Sequence, residues 1–301
     1  MSAGNFETFL SFVLVHEGGR VDDPRDPGGR TYKGVTQRVY SPYRVKKGLP
    51  KADVWNATNE EIAEIYRIQY WDRCRCDDLP DGVDYVVFDA AINSGCVQAT
   101  KWLQRTLNVQ NVDGSVGEAT IGAVRDYTDY DALVAAICAR RLAFMQELRT
   151  WPIYKNGWSH RVDEVKAIGQ CYATGSVDDV VLPSYAKNAH RRAYISEAKQ
   201  VPSTAITDGV VGCGGTLTAT IAGAQTQLQP FVGTVPYVDH AVAILIGVGV
   251  VIAAAGIAYR LVLNLRTKRM RDALDLSPSY APQPEHSVFE PEFSSVSAAS
   301  T

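Results

Sequence analysis

Nineteen consecutive residues, Ala241 to Tyr259, carry no charge and are rich in Val, Ile, Ala and Gly. As a helix, a run of this length rises about 30 Å, roughly the thickness of a bilayer's hydrocarbon core. A soluble core helix would need large apolar neighbours to cover it. The stretch before it, Thr204 to Gln229, is mostly Ser, Thr, Gly, Ala and Gln and offers few. The run therefore reads as a transmembrane helix over residues 241–263, with Leu261, Val262 and Leu263 extending it and Arg260 snorkelling to the interface. Residues 176–240 read as a flexible linker, with a short helix around Tyr185 to Lys199. Residues 264–301, with Pro278, Pro282 and Pro284 followed by Ser and Ala, read as a disordered tail.

The first 175 residues read as a mainly α body. Phe6, Phe9, Leu10 and Val13 recur at three- and four-residue steps, which marks the buried stripe of a helix from Phe6 to Glu17 that Asn5 can cap. Thr58 can cap a helix over Asn59 to Asp72. Asp84 to Asn93 is almost continuously apolar, as in a buried central helix. Helices are expected over Gln98 to Leu107, Ala119 to Arg125 and Tyr130 to Leu148. On the last of these, Arg140, Arg141 and Glu147 are expected to form a solvated face. Trp102, Trp151 and Trp158 are expected in the core.

Glu17 sits on the apolar stripe of the first helix, at its C-terminal end, and Gly18-Gly19 follow at once. Burial and the negative end of the helix dipole both disfavour a carboxylate there, which suits a general acid near neutral pH. The segment from Arg20 to Thr36 is turn-rich through Asp23-Pro24, Asp26-Pro27 and Gly28-Gly29, and reads as a small β-excursion. Tyr32, Val35 and Thr36 supply its returning strand and Gly34 a bend. Folded back over the helix end, this loop would set Asp26 and Thr31 opposite Glu17. Asp22 and Asp23 compete for that place.

The run Glu17-Gly18-Gly19, Asp23-Pro24-Arg25-Asp26-Pro27-Gly28-Gly29 and Thr31-Tyr32-Lys33-Gly34-Val35-Thr36 resembles glycosyl hydrolase family 108, muramidases of phages and bacterial secretion systems. The likeness continues through Tyr70-Trp71-Asp72-Arg73, Leu79-Pro80 and Phe88 to Gly95. From Leu103-Gln104-Arg105 through Val112 to Gly117 it looks like the family's second, peptidoglycan-binding module, and Gly157-Trp158 and Arg161 close it. Arg20 stands where the family usually has an aromatic residue. The resemblance implies a lysozyme-like catalytic domain over residues 1–90, a helical peptidoglycan-binding module over 91–175, and hydrolysis of the β-1,4 MurNAc–GlcNAc bond with Glu17 as the acid. The Glu, Asp, Thr order and the nine-residue gap from Glu17 to Asp26 are also similar to those of phage-type lysozymes. On that analogy Asp26 positions or activates water and Thr31 helps hold it. Tyr32 and Asn93 are candidates for binding the sugar. Asn93 reads equally as a buried amide that satisfies loop backbone groups.

The expected partners are peptidoglycan and the bacterial inner membrane, and the expected role is that of a single-pass, phage-type endolysin acting in the periplasm. Arg260, Arg266, Lys268, Arg269 and Arg271 follow the span, and by the positive-inside rule they would keep the tail cytoplasmic. Met1 to Phe9 does not read as a signal peptide. The opposite orientation, with the enzyme inside until release, is equally compatible. A lytic transglycosylase and a non-catalytic wall-binding protein are the alternative readings. With a formal net charge of −3, and no basic stripe, a nucleic-acid partner is not expected. Six cysteines and five histidines show neither a disulfide framework nor a metal-ligand spacing, so no metal and no cofactor are expected.

Overall fold

The computed structural model describes residues 4–22, 29–202, 223, 226–227 and 236–276. From the N-terminus, α1 (Phe6–Glu17) leads into three short strands, β1 (Arg20–Val21), β2 (Thr31–Tyr32) and β3 (Val35–Thr36). Helices α2 (Gln37–Lys46), α3 (Asn59–Tyr66), α4 (Val83–Ser94), α5 (Cys96–Thr106), α6 (Glu118–Arg125), α7 (Tyr130–Gln146) and α8 (Trp151–Thr174) follow. A long helix α9 (Pro236–Ala273) comes last among the described residues. The fold is mainly α with one small sheet, as the periodicity predicts.

The chain forms two units that meet in sequence at Lys199 and Gln200. The core of the first is built on α4, every residue of which is buried. It has no polar face because α5, α7 and α8 all pack around it. Aromatic rings join α1 to this core: Phe6 meets Trp71 at 5.4 Å between centroids, Trp71 meets Phe88 at 5.2 Å, and Phe9 meets Tyr85 at 4.7 Å. Trp102 and Trp158 are buried as expected, and Trp151 is half-buried. At the start of α3, Thr58 and Glu61 form a reciprocal capping box, with Glu61 N donating to Thr58 Oγ1 at 3.2 Å and Thr58 N to Glu61 Oε2 at 3.0 Å.

Several expectations are corrected. Asn5 does not cap α1 with its side chain; its amide donates to Asp84 Oδ2 at 3.2 Å instead. That bond ties α1 to α4, which local sequence cannot reveal. Arg141 is fully buried rather than solvated, because a buried carboxylate, Asp89, lies within its reach. The division expected at residue 90 falls inside α4, and the regions expected as catalytic domain and second module belong to one unit. The chain can turn between them at Gly95, whose φ of +89° suits glycine.

The expected linker begins too early. Residues 176–199 belong to the first unit, and the short helix foreseen there is replaced by irregular chain with brief 3-10 turns at Val177–Asp179 and Ile195–Glu197. This strap lies along α8 and across the end of α7. Ala189 and Ala193 are fully buried, Ala198 forms an antiparallel bridge with Leu148, and Lys199 N donates to Glu147 O at 2.9 Å. Much of the expected linker from residue 203 to 235, and the expected tail from residue 277 onward, lie outside the described residues.

In the second unit, α9 covers the predicted span and runs on to Ala273, so residues 264–273 of the expected disordered tail are helix instead. Its stretch Val250–Ala273 is largely exposed and is long and apolar enough, by length and composition, to cross a membrane.

Gly82 lets the start of α4 approach α8 closely. It has a φ of +82°, and a Cβ added there would overlap Gly169 O and lie 2.9 Å from Ala173 N. Gly82→Ala is expected to destabilise the first unit by about 2–4 kcal/mol. A lower urea midpoint for loss of tryptophan fluorescence, with an unchanged m value, would show it.

Candidate active site

Glu17 ends α1 with its side chain 2% exposed. The apolar stripe carries the carboxylate inward, and Gly18, with a φ of +79°, turns the chain out of the helix toward the sheet. The strands pair antiparallel, Arg20 opposite Tyr32 and Tyr32 opposite Val35. Lys33 and Gly34 join β2 to β3 with φ of +47° and +75°, the two-residue hairpin turn that requires positive φ at both positions. This turn is held against Glu17: Tyr66 Oη donates to Lys33 O at 2.9 Å. A Cβ on Gly34 would overlap Tyr66 Oη and stand 2.8 Å from Glu17 Oε2.

The carboxylate of Glu17 meets two guanidinium groups. Arg161 Nη1 donates to Oε1 at 2.9 Å, and Arg192 Nη2 lies 3.5 Å from Oε2. Arg161 also grips Asp89 with two nitrogens, Nε at 2.9 Å and Nη2 at 2.8 Å from Oδ2. Arg141 Nη1 donates to Asp89 Oδ1 at 2.7 Å. The order Arg141, Asp89, Arg161, Glu17, Arg192 thus alternates in charge. Burial pushes the Asp89 carboxyl up, but Arg161 and Arg141 outweigh it and hold the group well below the usual carboxylate range. Burial disfavours the charged form of Arg161, yet Asp89 and Glu17 keep it protonated. Arg192 is likewise held charged by Glu17 against the effect of burial.

The other expected site residues are placed differently. Thr31 lies on β2, half-buried, its hydroxyl donating to Gly29 O at 3.3 Å and its carbonyl accepting from Trp55 Nε1 at 3.3 Å. Tyr32, beside it, has the Arg20 guanidinium 5.6 Å and the Lys33 ammonium 5.5 Å from its ring centre. Asp26 and its competitor Asp23 lie outside the described residues, while Asp22 pairs with Arg30 at 3.2 Å. Asn93 is fully buried on α4 and donates to Arg191 O of the strap at 2.7 Å. Among the described residues no cluster of His, Cys, Asp or Glu could hold a metal ion.

Residues 10–95 match the family model described as Glycosyl hydrolase 108, and residues 98–163 match one described as Predicted Peptidoglycan domain. A solved structure titled "Structure of Brucella abortus SagA" is 36% identical, covering 57% of this chain and 97% of that chain, with a TM-score of 0.50. This chain belongs to glycosyl hydrolase family 108. The protein is a glycoside hydrolase that acts on peptidoglycan. No curated protein matches the chain.

Within this hydrolase, the charge network crosses both matched regions. Glu17 and Asp89 fall in the glycosidase match, and Arg141 and Arg161 in the peptidoglycan-domain match. The second region therefore does more than append a binding surface; its arginines complete the surroundings of Glu17. Arg192 and the strap lie beyond both matches. Sequence reasoning missed Asp89, Arg141 and Arg192. Asp89 did carry a signal, since a charge inside an otherwise apolar helix demands a buried partner.

His16, next to Glu17, is fully buried, with Nε2 3.7 Å from Glu164 Oε2. Burial, then Arg161, lowers its pKa from 6.5 to about 4 against the pull of Asp89, Glu164 and Glu17. A base depressed on folding favours the folded state above its unfolded pKa, and that contribution fades as pH falls toward the folded value. Denaturant midpoints are expected to fall between pH 6.5 and pH 4, with a loss of up to about 3 kcal/mol. His16→Gln should flatten the slope in that window. Gly34→Ala tests the hairpin: it should displace Tyr66 or Glu17 and lower the rate of wall hydrolysis about tenfold or more, while circular dichroism shows the helices intact.

Proposed function

We propose that the hydrolase cleaves the β-1,4 bond between N-acetylmuramic acid and N-acetylglucosamine, with Glu17 as the general acid. The observation that carries this reading is the position of Glu17: an inward-facing carboxylate at a helix end, fixed by Arg161 on one side and by the Lys33-Gly34 turn on the other. Cleavage of a glycosidic bond needs a proton delivered to the leaving oxygen from a donor held within hydrogen-bond reach. Rigid support on both sides fixes where that proton is offered, once Glu17 has taken it up in place of its pairing with Arg192. Asp26, with Thr31, positions the attacking water or stabilises the oxocarbenium-like charge. Tyr32 on the adjacent strand contacts the sugars, and Asn93 on α4 joins it only where Arg191 no longer occupies its amide.

The apolar stretch of α9 serves in this reading as a single-pass anchor in the bacterial inner membrane, with the catalytic unit acting in the periplasm as a phage-type endolysin. Its support is the length and hydropathy of Val250–Ala273 and the basic residues that follow the uncharged run.

Digestion of purified peptidoglycan tests the chemistry. Glu17→Gln should reduce the release of new reducing ends about 10²–10⁴-fold with the helical content unchanged. Retained activity would remove Glu17 from the acid's role. Mass spectrometry of the products decides the reaction class: reducing N-acetylmuramic acid ends support hydrolysis, whereas 1,6-anhydro ends would assign a lytic transglycosylase.

A further inference from the structure

The strap from Ala186 to Lys199 makes its contacts in the candidate site with groups that a substrate would use. Arg192 lies against the Glu17 carboxylate at 3.5 Å. Its neighbour's carbonyl, Arg191 O, accepts from both Asn93 Nδ2 at 2.7 Å and Trp158 Nε1 at 2.8 Å. Ala193 N donates to Asn93 O at 3.0 Å, and Ala189 O accepts from Arg161 Nη1 at 3.2 Å. A peptide segment therefore occupies the acid, the amide and the guanidinium together. With the Glu17 side chain 2% exposed, a glycosidic oxygen has no hydrogen-bonding approach to it while this arrangement persists.

We propose that residues 186–199 are an autoinhibitory strap, which keeps the hydrolase latent until it is drawn off Glu17. This inference rests on the reading of Glu17 as the acid and adds its regulation. The strap is suited to release. It is irregular chain, apart from one 3-10 turn and the bridge between Leu148 and Ala198. Before it, Val181 and Leu182 are 83% and 70% exposed, and the chain is next held at Ser184, whose N and Oγ donate to Glu164 Oε1 at 2.9 Å and 2.8 Å. The strap lies beyond both family matches, so it is an addition to the matched regions and not part of them. It also leads directly, through residues 200–235, into the apolar helix.

Closure need not be strong to matter. If the uncovered state is a minor population, activity scales with that population, and any change that favours uncovering raises the rate in proportion. Arg192 is the point where the strap is most specific, since its charge-assisted contact is made to the acid itself.

The test uses the full chain in detergent, with a recognition site for a sequence-specific protease inserted between Val181 and Leu182. The uncut protein is its own control, and release of reducing ends from peptidoglycan is the readout. Cutting leaves the strap held by non-covalent contacts alone and is expected to raise the rate about tenfold. Arg192→Ala in the uncut chain should raise it several-fold, with helical content unchanged. Equal rates before and after cutting, together with an unaltered rate for Arg192→Ala, would overturn the proposal. A loss of activity on either change would also overturn it, because the strap would then complete the active site and not block it. Glu17→Gln is combined with the cut form to separate the two readings. If that form is as active as the cut parent, the acid assignment fails, while the comparison of cut with uncut protein still reports on the strap.

Discussion

The buried charge ladder from Arg141 through Asp89 and Arg161 to Glu17 is the interaction on which the first unit depends. Arg141, Asp89 and Arg161 are fully buried, and Glu17 nearly so. Ions placed in a protein interior lose hydration worth several kcal/mol each, and only close, well-satisfied partners offset that cost. Here the two nitrogens of Arg161 on Asp89 give a planar, directional pairing that a lysine could not reproduce. The ladder links α4, α7 and α8 to the end of α1, so those helices cannot shift independently without leaving a charge unpaired. A hydrophobic core tolerates small adjustments in side-chain position; a ladder of this kind does not.

That rigidity bears on how a two-part hydrolase works. The regions matched as glycosidase and as peptidoglycan domain are distinct in sequence, yet α4 packs against α5, α7 and α8, and side chains from both regions meet at one carboxylate. The small sheet closes the opposite side, because the Lys33-Gly34 turn leaves no Cβ between the backbone and the acid. Glu17 is thereby set between a charged wall supplied from far along the chain and a backbone wall supplied from close by. The strap adds a third side, and the same arginine chemistry that organises the interior is used there at the entrance.

Much of this architecture is legible in the residues. The three- and four-residue spacing of Phe6, Phe9 and Val13, the Thr58 cap, the nearly continuous apolar run of α4 and the glycine-rich return through Gly34 each encode a local structure that the fold retains. What was not legible concerns polar groups whose partners are distant. Arg141 looked solvated because arginine on a helix beside other charges usually is, and only the packing of α7 against α4 turns it inward. Asn5 looked like a cap because asparagine at a helix start usually is, until Asp84 of another helix competes for its amide. The strap looked like linker because its composition is polar and irregular. It is held in place by backbone hydrogen bonds, which composition does not record.

Local residue patterns encode the helices, the small β-excursion, the inward-facing acid at the end of α1 and the apolar helix near the C-terminus. Each of these follows from periodicity, turn chemistry or length over a few neighbouring residues. Tertiary structure alone decided which charges surround that acid and whether it is open to solvent. Arg161 lies 144 residues from Glu17, and 72 from Asp89. The strength of a buried ion pair depends on separation in space and on exclusion of water, and neither is written in the spacing of residues along a chain.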